Sequence, residues 1–278
     1  MTGADITGQA GKGVVRQSLW VSAVAVILLI YDLTVRDLRT EHRNAAAGIL
    51  ISISQPILSG LAVYIFMNML GTSSGKIRGD DLSFIVLGFI FFFLHIRTAA
   101  SVAGSLRGDM LAHNRLSPFL LVAVKACSTG YKMTLALLLM LLLNYLIRGV
   151  FEMQLPLIFI LTVFASWIGG VAVGVLMMAA NRYLTWGGVL SSLYTRVMFI
   201  TSGKFFVANQ LPGFIRPLFD WNPLFHLLDQ NRSAAFQHYT ARTTSLEYPL
   251  IICAVVVVLA ALVAHYVKAN YSESFAPA

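Results

Sequence analysis

Gly71-Thr72-Ser73-Ser74-Gly75-Lys76-Ile77 has the outline of a phosphate-binding loop. Such a loop needs four residues between its glycines, a Lys, and then a Ser or Thr whose hydroxyl holds magnesium, all following a strand. Here the glycine spacing is one residue short and Ile77 stands where the hydroxyl is required. The stretch reads as a polar loop. Asp80-Asp81 is an adjacent pair whose carboxylates need not converge, so it reads as solvated loop as well. The 6 histidines and 12 acidic residues are scattered without H-E-x-x-H or another metal-ligand spacing, and G-x-S-x-G is absent. Cys127 and Cys253 both lie in apolar runs, which supports neither a disulfide framework nor a metal centre. None of these groups argues for an enzyme.

Charges inside apolar segments carry more information. Arg97, Lys125, Lys132, Arg196 and Lys204 lie within or beside hydrophobic runs, with no acid near them in sequence. A charge in hydrocarbon is costly unless it pairs, faces water or reaches an edge. Snorkelling near helix ends accounts for Lys125, Arg196 and Lys204. His95 with Arg97 marks a hydrated interior suited to an anionic substrate. Intramembrane carboxylates are missing, which weakens a proton-coupled carrier. Phe91-Phe92-Phe93, Trp167, Trp186, Tyr194, Phe199, Phe205, Phe206 and Trp221 suit interfacial belts and lipid-facing packing. Their faces could equally stack on the rings of a sugar polymer sliding past.

The stretch Gly203–Phe236 is too apolar for an ordinary loop, and Pro212, Pro217 and Pro223 interrupt it too often for a spanning helix. Irregular backbone at membrane depth is tolerated where protein buries it or a cavity borders it. Short helices dipping into the bilayer at one end of a pathway are expected here.

The elements that must position these residues follow from composition. Of 278 residues, 58% are hydrophobic and 12% charged, about half the charged share of a soluble domain. Spanning ~30 Å of hydrocarbon takes about 20 apolar residues. Six segments meet that need: Ala45–Leu70, Leu82–Leu106, Phe119–Ile147, Leu155–Ala180, Gly187–Val207 and Tyr248–Val267. Gly170 and Gly174 form a G-x-x-x-G pair in the fourth, which predicts close helix packing. Before the first span, Ile27, Tyr31, Val35 and Leu38 share one helical face while Asp32, Arg36, Arg39 and Arg43 share another, the pattern of an interfacial helix. No A-x-A-like cleavage site follows Gln17–Tyr31, which argues against a signal peptide.

The expected architecture is an all-α membrane protein with six transmembrane helices, an N-terminal amphipathic interfacial helix, and two short re-entrant helices before the last span. Residues 1–44 form the N-terminus and interfacial helix, 45–267 the membrane domain with its re-entrant segment at 209–236, and 268–278 a tail. Basic residues clustered at Lys12, Arg16, Arg36, Arg39 and Arg43 favour cytoplasmic termini. The net charge of +8 then reflects residues flanking spans rather than a nucleic-acid partner.

Three regions resemble ABC-2-type permeases of the polysaccharide and polyol-phosphate export family. Arg36-Asp37-Leu38-Arg39-Thr40 with Gly48 and Gln55-Pro56 follows one family pattern, although Ile49-Leu50-Ile51 and Gln55 depart from its usual Tyr-Leu-Trp and Glu. Arg107–Leu121 is similar to the family's linker ending in Ser-Pro before the third span. Ser202-Gly203, Phe205-Phe206, Leu211-Pro212, Trp221-Asn222-Pro223 and Arg232 follow the third pattern.

The resemblance implies a homodimer in the bacterial inner membrane, both termini cytoplasmic, bound to an ABC ATPase subunit that uses ATP and magnesium while this chain binds no cofactor. It implies that Arg36, Arg39, Arg107, Asp109, His113, Asn114 and Arg115 approach the ATPase. His95, Arg97, Phe199, Phe205, Phe206 and Trp221 would border the pathway. Pro212, Gly213, Trp221, Asn222, Pro223 and Arg232 would form an external gate. Lipid-linked capsular polysaccharide is the first expected cargo, with O-antigen or teichoic-type polymer as alternatives, and periplasmic and outer-membrane export components are further partners. The rivals in other classes are an ion-coupled secondary transporter or channel and a membrane-embedded glycosyltransferase.

Overall fold

The computed structural model describes residues 19–40, 45–71, 81–106, 117–148 and 153–273. Among them the α-helices run in the order α1 (Leu19–Thr40), α2 (Ala45–Met69), α3 (Asp81–Ala103), α4 (Pro118–Arg148), α5 (Pro156–Tyr183), α6 (Gly187–Thr201), α7 (Pro217–Asp220), α8 (Pro223–Ala235) and α9 (Glu247–Glu273). Prolines open α4, α5, α7 and α8, where a missing N–H removes no helical hydrogen bond and the fixed φ suits the first turn.

Five helices are long and apolar enough to cross a membrane: α2, α3, α4, α5 and α9. The fifth expected span differs. α6 has 15 residues, about 22 Å at 1.5 Å per residue, and ends where Gly203 adopts φ 73° and turns the chain back into the protein.

α3 is the hub, packed by α2, α4, α5 and α8. Its most apolar window is 78% buried, against 17% in α2 and 11% in α9, which turn Leu50, Leu58, Phe66, Ile251, Val258 and Leu262 outward. The expected close packing at Gly170 and Gly174 is present. A Cβ at Gly170 would lie 2.7 Å from the His95 carbonyl oxygen, and one at Gly174 would lie 2.6 Å from the Val102 side chain. Glycine there lets α5 approach α3 more closely than any side chain would allow.

α1 leaves Ile27, Tyr31, Asp32, Arg36 and Arg39 exposed and turns Asp37 inward against α4. Lys125 on α4 meets Asp37 at 2.6 Å. The expected snorkelling of Lys125 is therefore replaced by an ion pair across 88 residues of sequence, because helix packing supplies the acid that the local sequence lacks.

Candidate functional site

The proline-broken segment folds as an interlocked unit whose α8 packs on α5, α9 and α3 and whose Asn222 bonds to the end of α6. α6 ends at Thr201, a short turn at Ala208–Gln210 follows, and α7 and α8 then run nearly end to end. Asn222 joins them. Its side-chain oxygen accepts from the Leu224 N–H at 2.9 Å and caps α8, while its amide nitrogen donates to the Thr201 hydroxyl at 2.8 Å. Pro223 occupies the first helical position. Asn-Pro is a helix start in chemical terms: an oxygen satisfies an orphan N–H, and the next residue has no N–H to satisfy.

The flanking polar groups close around this start. The Trp221 indole donates to the Leu218 carbonyl at 2.8 Å, and the Tyr248 hydroxyl donates to the Trp221 carbonyl at 2.7 Å. His226 Nε2 lies 2.9 Å from the Asp220 carbonyl oxygen, and its Nδ1 accepts from the Ser245 N–H at 3.2 Å. A carbonyl can only accept, so the His226 proton sits on Nε2.

Arg232 reaches from α8 across to the turn after α6. Its guanidinium donates to the carbonyls of Gly203, Lys204 and Phe206 at 3.0, 2.9 and 3.1 Å and lies 3.8 Å from the Phe84 ring centre. Two glycines make room. A Cβ on Gly88 of α3 would lie 2.2 Å from Arg232 Nη2, and one on Gly203 would lie 2.5 Å from the Phe225 ring.

Burial lowers the Arg232 guanidinium to about 10, with Tyr239 and Asp229 acting in the opposite sense, so it stays cationic at neutral pH. Asp229 accepts from the Tyr239 hydroxyl and, at 2.7 Å, from the Thr244 hydroxyl. Burial raises its carboxyl above the usual carboxylate value despite those bonds.

Lys204 corrects the expectation of snorkelling. Its side chain is fully buried, because the turn at Gly203 directs it inward rather than toward an edge. The ammonium donates to the Phe199 carbonyl and sits 3.5, 3.9, 4.3 and 5.6 Å from the ring centres of Phe199, Phe92, Phe205 and Phe89. These rings form a cation–π box around it. Arg196, the third residue read this way, is exposed on α6.

The residues expected along a pathway fall in separate places. Phe199 and Phe205 belong to the Lys204 box. Phe206 packs edge-on against Phe219 with ring centres 5.0 Å apart, and Trp221 lies exposed at the α7–α8 junction. His95 is buried between α5 and α6, where Nδ1 donates to the Ser166 carbonyl at 3.0 Å and Nε2 accepts from the Tyr194 hydroxyl at 2.7 Å.

Arg97 faces α2 instead. It donates to the Ser52 carbonyl at 2.8 Å and to the Gln55 side-chain oxygen, with Phe93 against its guanidinium at 4.8 Å. His95 and Arg97 are two residues apart on one helix and serve different interfaces.

Of the expected gate residues, Asn222, Pro223 and Arg232 hold the segment together, whereas Pro212 and Gly213 are exposed. Arg36 and Arg39 lie exposed on α1, while Arg107, Asp109, His113, Asn114 and Arg115 lie outside the described residues. Sequence reasoning missed Gly88, Asp229, Tyr239 and Asn231. Asn231 donates to the Thr162 hydroxyl at 2.8 Å and ties α8 to α5. One signal was readable: a polar run, His226, Asp229, Asn231 and Arg232, inside an otherwise apolar stretch.

A helical core with five helices long and apolar enough to cross a bilayer marks a multi-pass membrane protein. The chain belongs to the ABC-2 type transporter family, whose model matches residues 29–236, well over half of its length. The domain of this family is the transmembrane component of a transporter, with ATP hydrolysis in a separate ABC ATPase. Comparison with curated proteins returns no match.

Proposed function

We propose that the chain is the permease subunit of an ATP-driven exporter that moves a lipid-linked polysaccharide, most simply a capsular one, out of the cytoplasm. Two copies would flank the pathway in the bacterial inner membrane, with both termini cytoplasmic and one ABC ATPase bound to each. α2, α3, α4, α5, α6 and α9 would make six crossings, with α6 the shortest of them. α7 and α8 would form the re-entrant pair.

The observation that carries this reading is the Arg232 clamp. Ser202-Gly203, Phe205-Phe206, Trp221-Asn222-Pro223 and Arg232 resemble the polysaccharide-export pattern. Within it, buried Arg232 binds the carbonyls of Gly203 and Phe206 beside Gly88 of α3, while buried Asn222 binds Thr201 at the end of α6. A polymer exporter needs a segment that seals at rest and still lets a long chain pass. A compact unit held to α6 by hydrogen bonds and aromatic packing suits that role.

The test is deletion of the chain followed by chemical analysis of surface and cytoplasmic polysaccharide. One polymer should disappear from the surface and accumulate inside. Transport by the purified chain without an ATPase would overturn the reading in favour of an ion-coupled carrier.

A further inference from the structure

α4, α5 and α9 enclose a groove of about 420 Å³ that opens outward from the helix bundle. Its walls are apolar: Val122 on α4, Val171 and Val175 on α5, and Val257, Ala261 and Ala264 on α9. Along α9 it runs from Val257 to Lys268, about 16 Å at 1.5 Å per residue. That is close to half of a ~30 Å hydrocarbon core, the depth of one leaflet.

Trp167, the residue before Ile168 of the groove wall, bridges α5 and α4. Its indole donates to the Ala126 carbonyl at 3.1 Å, and a Cβ on Gly130 would lie 2.8 Å from the indole nitrogen. Trp167 itself lines a second groove of about 480 Å³, together with Tyr131, Thr134 and Phe164 among others and with no charged residue.

The two ends of the first groove differ in chemistry. Its outer end carries His265 and Lys268, both exposed, and no described acidic residue lines it. An apolar channel one leaflet deep with basic groups at its mouth complements one kind of molecule: an acyl chain bearing a phosphate. Basic residues at a membrane surface favour anionic headgroups, and a lysine there binds as a point charge.

We infer that the groove between α4, α5 and α9 binds an acyl chain of an anionic phospholipid from the surrounding membrane, with its phosphate against Lys268 and His265. The lipid fills space between helices that protein side chains leave open, and it ties the N-terminal end of α4 to the C-terminal end of α9. The inference requires the chain to be a membrane protein and is independent of its cargo.

The test is native mass spectrometry of the purified full chain in detergent supplied with equal amounts of phosphatidylglycerol and phosphatidylcholine. Phosphatidylglycerol should be retained preferentially. Lys268→Gln should lower its retention by about fivefold, the effect of one basic residue at an anionic surface, and leave phosphatidylcholine unchanged. Ala264→Trp fills the groove and should remove both lipids. Val122→Trp, on the opposite wall, provides a second filler if the first does not give a folded chain by size-exclusion.

Equal retention of the two lipids, or undiminished retention by a folded filler variant, would overturn the inference. So would full competition by soluble glycerol phosphate, which would place binding in the headgroup alone. Efficient Ala261→Cys cross-linking between two copies would assign the groove to a second protein chain.

Discussion

Arg97 Nη1 donates to the carbonyl oxygen of Ser52 at 2.8 Å, and that oxygen is the one left without a helical donor by Pro56. A proline inside a helix removes the bond to the carbonyl four residues earlier. α3 supplies the missing donor from outside, and Gln55 accepts the second guanidinium nitrogen. Gln55-Pro56 and Arg97, which the sequence presented as a motif fragment and a pathway charge, form one structural device.

That device predicts a coupling. Arg97→Ala leaves the Ser52 carbonyl without this donor and should destabilise the protein by about 1–3 kcal/mol. Pro56→Ala restores an N–H to the helix, so the cost of Arg97→Ala should shrink in that background. A double-mutant cycle of thermal midpoints in detergent checks this, and additive effects would count against the device.

The Asp37–Lys125 pair holds α1 against α4, with the carboxylate buried and the ammonium partly exposed. Asp37→Ala should loosen α1 and expose it to protease. The exchange Asp37→Lys with Lys125→Asp should recover part of the protection. Limited proteolysis with mapping of the first cleavage reads both outcomes.

Gly88→Ala places a methyl group in the path of Arg232, and the guanidinium must leave the turn carbonyls. The expected result is loss of folded protein, partly rescued by Arg232→Met, which removes the group that clashes. Gly203→Ala should cost about 1–2 kcal/mol from its left-handed backbone alone, with the Phe225 contact adding to that.

Asn222 has two separable jobs. Asn222→Ala should cost about 1 kcal/mol through the lost helix cap. Asn222→Asp keeps the cap acceptor at Leu224 N but loses the donor to Thr201. If the tether from α8 to α6 matters for transport, the Asp variant keeps most of its thermal stability and loses export.

Asp229 sets a pH dependence. Its folded value lies above its ordinary 3.8, with burial as the chief cause. The folded state therefore holds its proton to higher pH than the unfolded state. Its stabilising contribution is fully present below 3.8 and is lost as pH rises through the raised value. Asp229→Asn should flatten stability against pH across that window, as read by thermal midpoints at a series of pH values.

Helical class, membrane character and most spans were legible because each depends on local composition: runs of about 20 apolar residues have few other folds open to them. Close packing at Gly170 and Gly174 of α5 was legible for a similar reason, since the pair leaves an unobstructed face, although only the structure names α3 as the partner. The end of α6 was harder to see. Apolar residues continue past Thr201, and hydropathy alone cannot register that Gly203 turns the backbone left-handed.

The sequence by itself determined that this chain lives in a membrane and that the proline-broken stretch from Gly203 to Phe236 cannot span. Partners were decided only by tertiary structure. Lys125 finds Asp37, Arg97 finds the carbonyl that Pro56 frees, and Lys204 finds four aromatic rings, all through helices distant in sequence. A buried charge must be compensated wherever packing brings a suitable group, and neighbouring residues along the chain do not reveal where that is.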